Sequence, residues 1–263
     1  MHVDTGVPAA ARDACPGGMA EAEWIARLEL AACYRLFDHL GWTEMIFNHL
    51  TLRLPGEPPS FLINPYGLHY AEVTARNLLR IDVDGRKLDD SPWPANPAGF
   101  VIHSAIHRAR EDAHCVMHTH TTAGVAVACK DAGLSHDNFY GAQFFGRVAY
   151  HDFEGVTTDP GEQARLVASL GGRDVLILRN HGLLVTGASV PEAFRTLWSL
   201  QRACEVQLAA GSIAGPDRAV PESVLREIPR QRQAMIAGQS RPGQAMFDAI
   251  LRRAGIRYED LCR

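Results

Sequence analysis

No apolar run in this chain approaches the roughly 20 residues that a helix needs to cross a bilayer. The first 18 residues, MHVDTGVPAAARDACPGG, lack the basic segment and apolar stretch of a secretory leader. Both absences lead us to expect a cytoplasmic protein with no membrane partner. There is no basic stripe either. The 26 Lys and Arg are scattered among 30 Asp and Glu, for a formal net charge of -4, which argues against nucleic acid as a partner. Six cysteines, at 15, 33, 115, 129, 204 and 262, form no C-x-x-C pair, and Cys115 lies within an apolar run. They read as reduced thiols that pack as small hydrophobes. Internal repeats and low-complexity segments are also missing.

What remains is enough for one substantial core: 263 residues, 46% hydrophobic and 21% charged. Residues 1–18 carry no periodicity and are expected to form a flexible arm. From residue 20 to 40 apolar residues recur at helical spacing and stop at Gly41. HLTLRLPG and PSFLINPYG read as a hairpin, and NLLRIDVDGRKLDD as a further strand with an Asp-Gly turn. AGFVIHSAIHRARED returns to helical spacing, AHCVMHTH and DVLILRNHG read as buried strands, and a long helix is expected over SVPEAFRTLWSLQRACEVQLAAGS. Interspersed strands and helices favour an α/β layered domain over residues 19–215. Residues 216–263 are expected to form a tail on the core or on a neighbouring subunit.

The chemistry concentrates in CVMHTH. Side chains at i and i+2 of a strand share a face, so His118 and His120 present two imidazoles side by side. Neutral imidazole is a common ligand of zinc and iron, and catalytic sites use three protein ligands and leave a position open. His181, just past a second apolar strand, is the candidate third ligand, with Gly182 expected to let the backbone turn sharply there. The competing reading makes these histidines hydrogen-bonded structural residues. His49 and His103 are candidate bases, because imidazole titrates near neutral pH. His107, His114 and His136 read as surface residues, and His151 as a weak pocket candidate.

FNHLTLRLPG, FLINPYGLHYAEVTARNLLRIDVDG, NPAGFVIHSAIHRAREDAHCVMHTHTTAGVAVA and VLILRNHGLLVTGASVPEAFRTLWSLQRACEVQ together resemble the class II aldolase/adducin family, in the family's order, over about residues 23 to 212. The resemblance implies a three-layer α/β/α sandwich around a central, largely antiparallel sheet, assembled as a homotetramer with sites between subunits. It implies that His118, His120 and His181 hold one divalent ion, zinc first, with iron, manganese or cobalt as alternatives. It places Gly99 where sugar-phosphate aldolases of the family carry their carboxylate base, and implies Tyr140 as a proton donor from an adjacent subunit. Asn48, Tyr66, Gly67 and Gly99 fall at substrate-binding positions, but FNHLT, Tyr66-Gly67 and Pro97-Ala98 depart from the family's phosphate-binding stretches. Phe144, with Phe139 and Phe145, could line an apolar pocket or simply pack.

The expected function is therefore a metal-dependent lyase acting next to a carbonyl on a non-phosphorylated keto or hydroxy acid. The alternatives are a non-haem iron oxygenase or oxidative decarboxylase using the same histidines, and a non-catalytic adducin-like scaffold.

Overall fold

Short apolar runs separated by Gly, Pro and Asp become the strands of a single sheet, and the longer amphipathic segments cover its two faces. The computed structural model describes residues 5–155 and 160–263, without the surroundings of the side chains at 97–100 and 160. In chain order the elements are α1 (Ala9–Asp13), α2 (Glu21–Leu40), β1 (His49–Arg53), β2 (Ser60–Ile63), β3 (Leu79–Asp82), α3 (Pro97–Ala109), β4 (Cys115–Thr119), α4 (Thr122–Ala128) and α5 (Phe139–Ala142). They continue with β5 (Val148–His151), α6 (Pro160–Leu170), β6 (Val175–Leu178), β7 (Gly182–Gly187), α7 (Val190–Gly211), α8 (Glu222–Ile236) and α9 (Gln244–Ala254).

The sheet has seven strands in the order β3-β2-β1-β4-β7-β6-β5. Every pairing is antiparallel except β5 with β6. Alternation along β4 defines the two faces. Cys115 and Met117 enter the main core with α2 and α7, while Val116 joins a second core with Ile102 and Ile106 of α3 and Leu166 and Leu170 of α6. This is the expected three-layer sandwich. The chosen helix ends follow local chemistry: Gly41 closes α2 at φ +71°, where a side chain would be strained. Ser189 caps α7 by accepting from the Glu192 N–H, with Pro191 in the first turn.

One segment differs from the sequence reading, and a second takes a form that reading left open. The arm expected over residues 1–18 is, from residue 5 on, tied down: Val7 and Ala11 are buried, and the Trp24 indole N–H donates to the Ala11 carbonyl at 2.8 Å. A short Ala-rich turn without periodicity gave no hint of this, because its partner lies 13 residues away. The Pro-, Arg- and Gln-rich stretch after Gly215 forms α8, with Pro229 inside it. Its Glu, Arg and Gln residues are good helix formers even where few apolar residues mark a buried face. Beyond it, Phe247, Leu251, Tyr258 and Leu261 are buried in the main core, and Arg241 pairs with the buried Glu29 at 2.5 and 2.9 Å. No helix among the described residues is long and apolar enough to cross a membrane.

Candidate metal centre

β4 lies between β1 and β7, and its register brings His49 opposite His118 on one side and Leu184 opposite it on the other. His118 and His120 therefore project from the face that α3 covers, as the two-residue period requires. His181 sits in the three-residue connection between β6 and β7, where Leu178 pairs with Gly182. Asn180, at φ +56°, supplies the left-handed turn. Gly182 has a different reason from the one expected. A Cβ there would lie 2.3 Å from the Thr119 carbonyl oxygen, 3.1 Å from the His120 ring and 3.3 Å from the His118 ring. The glycine is needed for close approach of two backbones, and the turn belongs to its neighbour.

The ligand nitrogens of His118, His120 and His181 all lie within 4.8 Å of one another. His118 Nε2 is 2.7 Å from His120 Nε2, which is 2.9 Å from His181 Nε2. The His118 Nδ1–H donates to the Leu183 carbonyl at 2.8 Å, which fixes the tautomer and leaves Nε2 as a bare lone pair. Burial, then the neighbouring histidines, hold the His118 pKa well below the ordinary imidazole value. Burial, then His49, brings His120 to about 4, and burial, then His120, brings His181 to about 4. Three neutral imidazoles aimed at one point, with one ring held by an outer hydrogen bond, form a donor set that fits a zinc or iron ion. His118 is buried while His120 and His181 are half-buried, so the cluster has one solvent-facing side.

A second histidine array runs beside it. The His107 Nδ1–H donates to the Ala113 carbonyl at 2.9 Å, so in the neutral ring Nε2 is an acceptor. The Thr51 hydroxyl donates to that Nε2 at 2.8 Å, and its oxygen accepts from His103 Nδ1–H at 2.7 Å. His103 Nε2 is thereby left as an unprotonated acceptor, fully buried and without a hydrogen-bond partner among the described residues. Burial, then His49 and His107, keeps His103 well below its usual pKa, and burial, then the Arg53 charge, brings His107 to about 3. The His103 ring lies 4.4 Å from that of His49 at a tilt of 42°, and the His49 ring lies 5.5 Å from His118. The array thus ends against the three-histidine cluster.

Residues 28–208 match the family described as Class II Aldolase and Adducin N-terminal domain. The chain belongs to that family. It is 44% identical over 237 residues to a Pseudomonas aeruginosa protein named "Putative aldolase class 2 protein", covering 88% of this chain and 90% of that one. It is also 44% identical over 204 residues to rat alpha-adducin, covering 76% of this chain and 28% of the adducin. The solved structure of L-fuculose 1-phosphate aldolase from Glaciozyma antarctica superposes with a TM-score of 0.77 at 28% identity, covering 95% of this chain and 99% of that one.

Among class II aldolase/adducin residues expected at a site, the structure brings together His49, His103, His118, His120 and His181. Asn48 is present in another capacity. Its Nδ2 donates to the Trp42 carbonyl and its Oδ1 accepts from the His120 N–H, both at 2.8 Å. It fixes the backbone of His120. Phe144 is fully buried in the main core beneath the Arg147 guanidinium, on the other face of the sheet from the histidines. Packing is its role. Tyr140, half-buried, lies beside Trp198 and is not brought to the histidines of its own chain. Tyr66 is 37% exposed, and Gly67 takes φ +106° beside Trp93. His151 bonds Ser169 and approaches Glu162, and it is not one of the three converging histidines. Gly99 falls in 97–100, outside the residues whose surroundings are described. Sequence reasoning missed Thr51, and His107, read as a surface residue, is 2% exposed. The available signal was the i, i+4 pair His103 and His107 on one helix face opposite a strand threonine.

Proposed function

We propose that this protein is a cytoplasmic, divalent-metal-dependent lyase that makes or breaks a C–C bond next to a carbonyl on a small, non-phosphorylated keto or hydroxy acid. The observation that carries this reading is the convergence of His118, His120 and His181, with the His118 Nδ1–H held by the Leu183 carbonyl. A divalent ion held there supplies Lewis acidity that stabilises negative charge developing beside a substrate carbonyl. His103 is the proton acceptor in this reading, because the Thr51 and His107 bonds keep its Nε2 bare. Asn48 is fully buried with its Oδ1 on the His120 N–H, which supports a substrate without a phosphate at that loop. Tyr140 of the partner subunit is the proposed donor, in a homotetramer with sites between subunits.

A second reading, an adducin-like scaffold, is favoured by the 44% identity to alpha-adducin. Purification without added metal, metal analysis, and assays of C–C cleavage and oxygen uptake over a panel of keto and hydroxy acids separate the readings. Stoichiometric metal with metal-dependent cleavage and no oxygen uptake supports the lyase. Oxygen uptake coupled to substrate loss replaces it with an iron oxygenase or oxidative decarboxylase. Metal that His181→Ala removes, with no turnover of any acid by the unaltered protein, replaces it with the scaffold.

A further inference from the structure

A cavity of about 560 Å³ opens between α5, α7, α8 and the start of α9, away from the histidines. Its volume is that of a small-molecule site. Its walls are mainly apolar, and four of them, Phe139, Val224, Met235 and Met246, are large hydrophobic side chains between 46% and 78% exposed. Two arginines, Arg195 of α7 and Arg232 of α8, line the same cavity.

Their charge is not balanced. Arg195 Nε and Nη2 are buried and donate to no acceptor among the described residues. A buried guanidinium nitrogen without an acceptor is costly, and two neighbouring cations more so. Burial, then the charges of Arg147 and Arg195, brings the Arg232 pKa down to about 10. The surrounding groups are Arg147, Arg195 and Arg232 against Asp174 and Glu192. Arg147 is paired with Asp174. Glu192, which also accepts from the Ala188 N–H, is the acidic neighbour of Arg195. Three guanidinium groups face two carboxylates, so one positive charge is left over at the edge of an apolar chamber.

We infer that this cavity binds a monoanionic amphiphile of the fatty-acid type, its carboxylate on the guanidinium groups of Arg195 and Arg232 and its apolar body between α5, α7 and α8. A planar carboxylate matches the arginine fork and supplies the single missing charge. The apolar walls take the chain, and Met235 and Met246, unbranched and polarisable, accommodate bodies of differing shape.

The test is calorimetric titration of the full-length protein, in its native assembly, with decanoate and with 1-decanol. Decanoate should bind saturably and more tightly than the alcohol by about tenfold or more, the share of a charge-assisted hydrogen bond. Arg232→Met and Arg195→Met should each remove that preference while decanol binding stays. Ile228→Trp, which fills the cavity one helical turn from Arg232 and keeps both arginines, should abolish binding of both, with circular dichroism and metal content unchanged. Equal binding of acid and alcohol, absence of decanoate binding, or undiminished binding by Ile228→Trp overturns the inference. Absence of binding together with a change of sedimentation coefficient in Arg232→Met or Ile228→Trp overturns it in favour of a second copy covering this face.

Discussion

The Thr51 hydroxyl bridges two buried histidines of one helix, accepting from His103 at 2.7 Å and donating to His107 at 2.8 Å. Because the Ala113 carbonyl can only accept, the direction of every bond in the array follows from that one contact. Thr51→Val keeps the shape and removes the hydroxyl. Two buried polar nitrogens then lose their partner, at about 1–3 kcal/mol each. Urea denaturation should show that loss, and Thr51→Ser should recover most of it. On the proposed function, the valine variant also loses kcat with its metal content intact.

Acid should destabilise the fold through the same array. His103 and His107 are buried and neutral, with pKa values below that of the unfolded chain, about 6.5. As pH falls below about 6.5 the unfolded state takes up protons that the folded state refuses, so stability decreases toward the folded pKa, about 3 for His107. At pH 5 the His107 ring contributes a loss of about 2 kcal/mol relative to neutral pH, and His103 adds to it in the same direction. Urea midpoints at pH 7 and pH 5 measure this. His107→Gln should show a smaller drop between the two pH values than the unaltered protein, and an equal drop would count against the array.

Gly182→Ala should separate the β6–β7 connection from the end of β4. A Cβ 2.3 Å from the Thr119 carbonyl cannot be relieved by a side-chain rotation, since the obstacle is backbone. Overpacking of this kind costs about 1–3 kcal/mol. His120 and His118 are the next atoms it meets. Thermal melts should show the loss of stability and metal titration a weaker site, both in the same variant.

Asn48→Leu removes the clamp on the His120 backbone without altering any of the three ligands. Outer partners of metal ligands are worth about 10–100-fold in metal affinity. A competition titration with a chromophoric chelator should show a decrease in that range, while His181→Ala should lose more. Unchanged affinity in Asn48→Leu would mean that the neighbouring strands alone hold His120 in place.

The part of the site that was legible in the sequence is the part that depends on local geometry. His118 and His120 share a face because side chains alternate along any strand, and His181 follows a second apolar run that could only be another buried strand. The family motifs extended this to the fold. The role of Gly182 was misassigned because a turn and a close approach both select glycine, and only the position of Thr119 distinguishes them. Phe144 and Tyr66 were both expected at the substrate, one as a pocket wall and one by resemblance, yet one lies in the core and the other is exposed.

By themselves, then, periodicity and spacing determined an α/β layered domain and picked out the three imidazoles, since they are properties of neighbouring residues, while the resemblance to the family supplied the three-layer class and the largely antiparallel sheet. Tertiary structure decided what those imidazoles are attached to. Thr51 meets His103 across 52 positions, Asn48 meets His120 across 72 and Arg241 meets Glu29 across 212. Such partners are chosen by strand register and helix packing, so hydrogen-bond direction, proton placement and uncompensated charge are set only when the chain has folded.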